Sequence, residues 1–292
     1  MGSTMCNKIE TIGSLLTRGY EKLKNAGIES YQIDSQLLLS KAIDKDRVFI
    51  LTHRDMPVSE KASEEYLRLV DLREKNMPVK YILGECEFMG YMFKVREAVL
   101  IPRPDTEVLV ENVIALVKER GYRKICDVCT GSGIIGITVA KECEETEVLC
   151  LDISSAAIKT AMENAKDLGV SERVGVACSD LLEYALDRGI GFDVIVSNPP
   201  YIRTSEIDGL MADVKEYEPF EALCGGEDGL EFYRKITEQS RLLLRKDGML
   251  AFEIGYDQRA DVMNILAEKG FTNVASAEDL SGNDRVVLGF KN

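Results

Sequence analysis

The run Lys124-Ile125-Cys126-Asp127-Val128-Cys129-Thr130-Gly131-Ser132-Gly133-Ile134-Ile135-Gly136 decides the fold. Its first five residues form a short, mainly apolar stretch of strand length, and the glycines follow at once. Gly131, Gly133 and Gly136 make a G-x-G-x-x-G between that strand and the start of a helix. Glycines there let a ligand approach the backbone. Asp152 closes the next strand, 19 residues beyond Gly133, placed to accept hydrogen bonds from a ribose diol. A nicotinamide enzyme and a methyltransferase would both carry this pair, and a tight turn of purely structural use could resemble it.

Outward from this run, short apolar stretches alternate with helical periodicity. Strands are expected over 124–128, 147–151, 174–178, 192–197, 249–254, 273–277 and 285–290, with helices between them such as 154–168 and 229–244. Alternating β and α with buried strands predicts an α/β fold with a doubly wound, Rossmann-like seven-stranded sheet. The last two strands, separated by the short loop 278–284, are expected to form an antiparallel hairpin. Toward the N-terminus the period changes. Ile12, Leu15, Leu16, Gly19 and Leu23 recur at helical spacing, as do Leu37, Leu38 and Ala42, and 64–73 carries Leu67 and Val70 on one face. Asp34 and Ser59 read as N-caps. Phe88, Gly90, Tyr91, Phe93 and Val95 suggest a hairpin turning near Met89-Gly90. The expected organisation is a helical bundle over 1–80 that recognises substrate, a hairpin linker over 81–100 and the catalytic domain over 101–292.

Composition narrows the function classes. A chain of 292 residues, 45% hydrophobic and 29% charged, can bury a sizeable core. No apolar run reaches the ~20 residues of a membrane span, and the polar N-terminus lacks the apolar centre of a signal peptide. Met1-Gly2-Ser3-Thr4 reads as a cloning remnant ahead of a natural start at Met5. The eight cysteines lack framework spacing. Cys126 and Cys129 form a C-x-x-C with no second pair to complete a zinc site, so buried reduced thiols, no metal and a reducing cytoplasm are expected. Residues 1–80 carry 13 Lys and Arg against 12 Asp and Glu, leaving 23 against 38 beyond them. So acidic a main domain is a poor match for nucleic acid, whose binding rests on Lys and Arg at phosphates.

Ser197-Asn198-Pro199-Pro200-Tyr201 separates the two cofactor readings. It follows the apolar strand 192–197 and so sits at the strand's C-terminal end, the ligand-binding edge of an open α/β sheet. Successive prolines stiffen the loop and fix their carbonyls. Asn198 offers an acceptor and two donors. Tyr201 offers a flat, electron-rich face. An amide or aryl amine nitrogen delocalises its lone pair and is a weak nucleophile. Accepting its two N–H hydrogens at the Asn198 oxygen and the Pro199 carbonyl would hold the nitrogen and favour tetrahedral geometry. Its lone pair could then meet a sulfonium methyl in line, with positioning as the main source of rate.

With these residues in view the sequence resembles the release factor glutamine methyltransferases, the PrmC/HemK family. Asn198–Tyr201 is shared by amino-methyltransferases acting on adenine, guanine or glutamine. Further likeness lies in Tyr81-Ile82-Leu83-Gly84-Glu85, in Ile101-Pro102-Arg103-Pro104-Asp105-Thr106-Glu107 and in Gly282-Asn283-Asp284-Arg285-Val286. It extends over about residues 8–290, bundle included. The resemblance implies transfer of methyl from S-adenosylmethionine, leaving S-adenosylhomocysteine, to the glutamine of the Gly-Gly-Gln motif in class 1 peptide chain release factors. It implies cofactor contacts at Cys129, Thr130, Gly131, Ser132, Gly133, Asp152, Asp180, Leu181 and Asn198, with Leu100 to Arg103 as a pocket wall. It gives Asn198, Pro199, Pro200 and Tyr201 the glutamine amide.

The family usually has glycine where this chain has Cys129; a cysteine permits the tight turn if its φ is negative but crowds the methionine end of the cofactor, so altered affinity rather than lost activity is expected. Two rivals are the same chemistry on a nucleic-acid base, and a non-catalytic module keeping a relic pocket. His53, the only histidine, is expected at the surface. Arg103 is expected either on a cofactor carboxylate or paired with Glu107.

Overall fold

The computed structural model describes residues 10–292, so the expected remnant at Met1–Thr4 and Met5 lie outside the described residues. The chain divides into two compact units, up to Gly84 and from Glu85 onward.

In the first unit, helices α1 (Ile12–Asn25), α2 (Tyr31–Ile43), α3 (Arg47–Thr52), α4 (Glu60–Glu74) and α5 (Val79–Leu83) enclose an apolar core. Ile12, Leu15, Leu16 and Leu23 are fully buried, as their spacing predicts. Gly19 belongs to that face because its backbone approaches α4. A Cβ there would lie 1.9 Å from the Tyr66 hydroxyl. Ser59 caps α4 by accepting from the Ala62 N–H. Asp34 is no cap: it lies inside α2, after Ser30, buried and ion-paired at 2.7 Å with Arg73. A partner 39 residues away overrides the local preference. On α4 the buried face is Tyr66, Leu69, Val70 and Arg73, with Leu67 at its margin.

The second unit begins with strands β1 (Glu85–Phe88) and β2 (Tyr91–Lys94). Met89 and Gly90 both take positive φ, 49° and 78°, as a two-residue hairpin turn requires. Phe88 and Phe93 carry the hairpin into the core beside helix α6 (Thr106–Arg120). Then follow β3 (Lys124–Val128), α7 (Ile134–Glu142), β4 (Glu147–Asp152), α8 (Ser155–Asp167), β5 (Val174–Cys178), α9 (Glu183–Arg188) and β6 (Phe192–Ser197). The remainder is α10 (Ala212–Tyr217), α11 (Phe220–Leu223), α12 (Glu231–Leu243), β7 (Leu244–Glu253), α13 (Arg259–Glu268), β8 (Phe271–Glu278) and β9 (Asp284–Lys291).

The seven-stranded sheet runs β5-β4-β3-β6-β7-β9-β8, parallel except where β9 pairs antiparallel with β7 and β8. Alternate strand residues serve opposite cores. Ile125, Val194, Val196, Met249 and Ala251 face one core with α6 and α7, whereas Cys126, Ile195, Leu250 and Phe252 face the other with α12 and α13. Strand order reverses between β3 and β6, so the C-terminal ends of those two strands open a crevice.

Candidate functional site

The glycine loop is held from below. Asp127 is fully buried, and its Oδ2 accepts from the Thr130 hydroxyl at 2.5 Å and the Gly136 N–H at 2.9 Å. Burial pushes its carboxyl up to about 7 against those two bonds. Gly136 is where α7 meets the sheet: a Cβ there would lie 2.7 Å from the Cys150 sulfur and 3.1 Å from the Asp127 Cβ. Gly133, at φ 86°, caps α7 and lies under Ile137 and Ala161. Gly131, at φ 56°, has open space on the side where a Cβ would stand. Cys129 takes φ 59°, so the condition of a negative φ is not met. The turn out of β3 requires the left-handed conformation, and a side chain there costs about 1–3 kcal/mol.

Asp152 ends β4 with its carboxylate beside the loop. Oδ2 accepts from the Gly131 N–H at 2.8 Å and Oδ1 from the Ser154 N–H at 2.9 Å. Burial raises its pKa, and those N–H groups oppose the shift. Each oxygen keeps lone-pair capacity for hydroxyl donors.

A cavity of about 580 Å³ fills the crevice, within the range of small-molecule sites. Cys129, Thr130, Gly131, Ser132, Asp152, Asp180, Leu181, Asn198 and Pro200 all line it, as does the stretch Leu100-Ile101-Pro102-Arg103. Gly133, Pro199 and Tyr201 do not. Gly133 is spent on packing against Ile137 and Ala161, and Pro199 and Tyr201 flank Pro200 in the loop. Arg103 pairs with Glu218 at 2.5 Å rather than with Glu107. Glu107 instead accepts from the Met89 N–H. His53 is exposed and stacks on Phe49 at 4.0 Å, in the other unit.

The Asn198–Tyr201 loop is fixed on several sides. The Ser197 hydroxyl donates to the Val128 carbonyl at 2.6 Å, locking β6 to β3. Gln258 donates to the Tyr201 carbonyl at 2.9 Å. Gly225 lets the chain return against the loop, since a Cβ there would lie 2.7 Å from the Tyr201 Cα and 2.8 Å from the Pro200 oxygen. The Tyr201 hydroxyl is pushed up to about 12 by burial and by the nearby Glu253.

Four contributors to this geometry lie outside the residues that the sequence assigns to the site. Thr106 accepts from Asn198 Nδ2 at 3.4 Å. Gln258 and Glu253 are each 1% exposed behind the loop. Asn164, on α8, donates to the Ser132 carbonyl at 2.8 Å and exchanges bonds with Lys94 of the hairpin. A glutamate ending an apolar strand at the ligand edge was the available clue to Glu253. The Gly282–Val286 motif also gains a use. The turn from β8 to β9 is wound around Asp279, whose carboxyl falls to about 2 chiefly through the Asn283 N–H. It delivers Arg285 between Asp279 and Asp105, at 3.1 and 3.0 Å.

Residues 14–84 match the family described as PrmC N-terminal domain, and residues 104–213 match the methyltransferase small domain. The release factor glutamine methyltransferase of Clostridium botulinum is 54% identical over 273 residues, covering 94% of this chain and 96% of its own. That of Clostridium acetobutylicum is 48% identical over 277 residues, covering 95% and 97%. A solved 16S rRNA N2 G1207 methyltransferase from T. thermophilus, in complex with AdoMet and guanosine, aligns at a TM-score of 0.51. It is 17% identical over 71% of this chain and 50% of that one, a likeness of fold. Among the described residues no helix is long and apolar enough to cross a membrane.

Proposed function

This chain belongs to the release factor glutamine methyltransferases, and on that premise we propose how its own residues carry the reaction. A methyl group passes from S-adenosylmethionine to the side-chain amide nitrogen of the Gly-Gly-Gln glutamine in class 1 peptide chain release factors. The observation that carries the reading is the position of Asn198. It lines the same cavity as Gly131 and Asp152, at the end of β6, the neighbour of the β3 strand that the glycine loop follows.

The cavity suits the cofactor on its own chemistry. Asp152 offers carboxylate acceptors to a ribose diol. Asp180 and Leu181, adjacent in the lining, offer an acceptor and an apolar wall to a flat amino-bearing ring. Gly131 leaves clear the volume that a side chain would fill. Cys129, Thr130, Ser132 and Gly133 complete the loop, and Cys129, with its thiol pKa raised by burial, stays neutral. When bound, S-adenosylmethionine supplies an electrophilic methyl on a sulfonium.

The chain's task is to make a poor nucleophile usable. The Asn198 Oδ1 and the Pro199 carbonyl accept the two amide N–H hydrogens, which withdraws the nitrogen from conjugation and aims its lone pair. Pro200 keeps the loop rigid and Tyr201 backs the flat amide, with its carbonyl anchored by Gln258. A carbon–nitrogen bond forms as the carbon–sulfur bond breaks, and the nitrogen's extra proton, now acidic, passes to water. No residue of the site needs to be a strong base. The bundle is the part we assign to recognition of the folded release factor.

Incubation with methyl-labelled cofactor and purified release factor, followed by peptide mapping, tests the reading. The label should map to the Gly-Gly-Gln glutamine and vanish when that residue is changed to glutamate. Label elsewhere in the release factor, or none, would refute it.

A further inference from the structure

The Asn198 amide has two chemically opposite ends, and half a turn of its side chain exchanges them. The reaction above needs the oxygen toward the substrate, so something must choose. Its NH₂ points toward Thr106 Oγ1, at 3.4 Å. Behind both lies Glu253, 1% exposed, its Oε2 without a hydrogen-bond partner among the described residues. The Thr106 and Asn198 side chains face its carboxyl closely enough to oppose the rise that burial causes.

The sheet makes this juxtaposition. Ser197 at the end of β6 stands in register with Phe252 on the parallel strand β7. The residues that follow them are Asn198, just past β6, and Glu253, the last of β7. An ionised carboxylate has lone pairs and no hydrogens, so it can meet only the NH₂ end of an amide. Oδ1 is thereby turned away from Glu253, toward the cavity that Asn198 lines.

We propose that Glu253 is a positioning residue, which orients the Asn198 amide through Thr106 and through its own neighbouring carboxylate so that the amide oxygen faces the substrate. The inference rests on the reading of Asn198 given above and deepens it. Glu253 touches neither substrate nor cofactor. It works as the buried carboxylate that fixes a catalytic imidazole works, by selecting one of two orientations.

The charge state of Glu253 adds a consequence. The groups facing it are Asp105 and Thr106 at the start of α6, Asn198 and Tyr201 after β6, Tyr233 on α12 and Arg285 on β9. Burial lifts its carboxyl to about 7, with Thr106 and Arg285 pulling the other way. Once protonated, Glu253 becomes a donor and can pair with Oδ1 instead, turning the NH₂ toward the cavity. Turnover should therefore rise with pH through about 7.

The test is kcat, KM and cofactor Kd for wild type, Glu253→Gln and Glu253→Leu between pH 6 and 8.5, on full-length protein with a purified release factor. Leucine removes the acceptor, and kcat should fall about 100-fold with cofactor Kd unchanged. Glutamine can present either end, and kcat should fall about tenfold at pH 8.5 and lose its step near pH 7. A folded Glu253→Leu within threefold of wild type would overturn the proposal. So would a Glu253→Gln that keeps the wild-type step, a measurement that stands even if the leucine variant does not fold. Failure here with Asn198→Ala still inactive would leave the parent reading standing; a wild type inactive on release factor would remove that reading itself.

Discussion

Asp152→Ala separates the cofactor reading from the fold. In the free protein the carboxylate accepts from two backbone N–H groups, of Gly131 and Ser154, at 2.8 and 2.9 Å. Hydrogen bonds to a charged group contribute about 1.5–3 kcal/mol each when their loss leaves a buried donor unpaired. Here both donors border a cavity open to water, so hydration recovers much of that, and a fold cost of about 1–3 kcal/mol is expected. The ribose acceptors are lost as well, and a further ~1–3 kcal/mol should leave binding, which is about 5- to 150-fold in Kd. Titration calorimetry at 25 °C gives that ratio directly. Thermal shifts provide the control, because a ligand bound only by the native state raises Tm by mass action. S-adenosylmethionine should raise wild-type Tm and NAD should not. An alanine variant that is folded and within twofold of wild-type Kd would refute the assignment of the ribose to Asp152. A shift with NAD alone would restore the dehydrogenase reading.

Further outcomes follow from the same geometry. A chain beginning at Glu85 should keep cofactor Kd and lose most activity on the folded release factor; full activity would remove the recognition role given to the N-terminal bundle. Gly225→Ala places a Cβ 2.7 Å from the Tyr201 backbone, so kcat should fall about tenfold or more with cofactor Kd unchanged, and an unaffected kcat would show that the loop has slack. Asp127 titrates near 7 when folded against an ordinary 3.8. Its stabilising contribution is therefore whole below about pH 4 and lost as pH rises through about 7. Asp127→Asn should gain Tm relative to wild type between pH 5 and 8, and a constant difference across that window would contradict the sign.

The sheet was legible wherever a strand was short, apolar and bounded by a turn: 124–128, 174–178 and 192–197 match the observed strands residue for residue. Strand β7 begins at Leu244, five residues before its expected start. Its polar stretch Arg245-Lys246-Asp247 reads as a turn but forms an irregular entry opposite Phe192, held by Arg245 on Asp193. The glycine loop and the Asn198–Tyr201 loop were legible because their chemistry is local. Thr106, Glu253 and Gln258 were not. They matter because β6 and β7 are neighbours and because α6 begins beneath them, and adjacency of that kind is a property of topology. Cys129 shows the opposite case, in which a local rule for the turn was known and the residue violates it at φ 59°.

The central claim is that the Asn198 oxygen holds the glutamine amide, and single-turnover methyl transfer at saturating cofactor tests it most directly. Asn198→Ala removes the acceptor, and a rate loss on the order of 10²-fold or more is expected, since positioning is what the residue supplies. Asn198→Asp keeps an acceptor and loses the NH₂, and should be impaired less. An alanine variant that is folded, saturated with cofactor and within threefold of wild type would mean that the amide is held elsewhere, and the mechanism would fall.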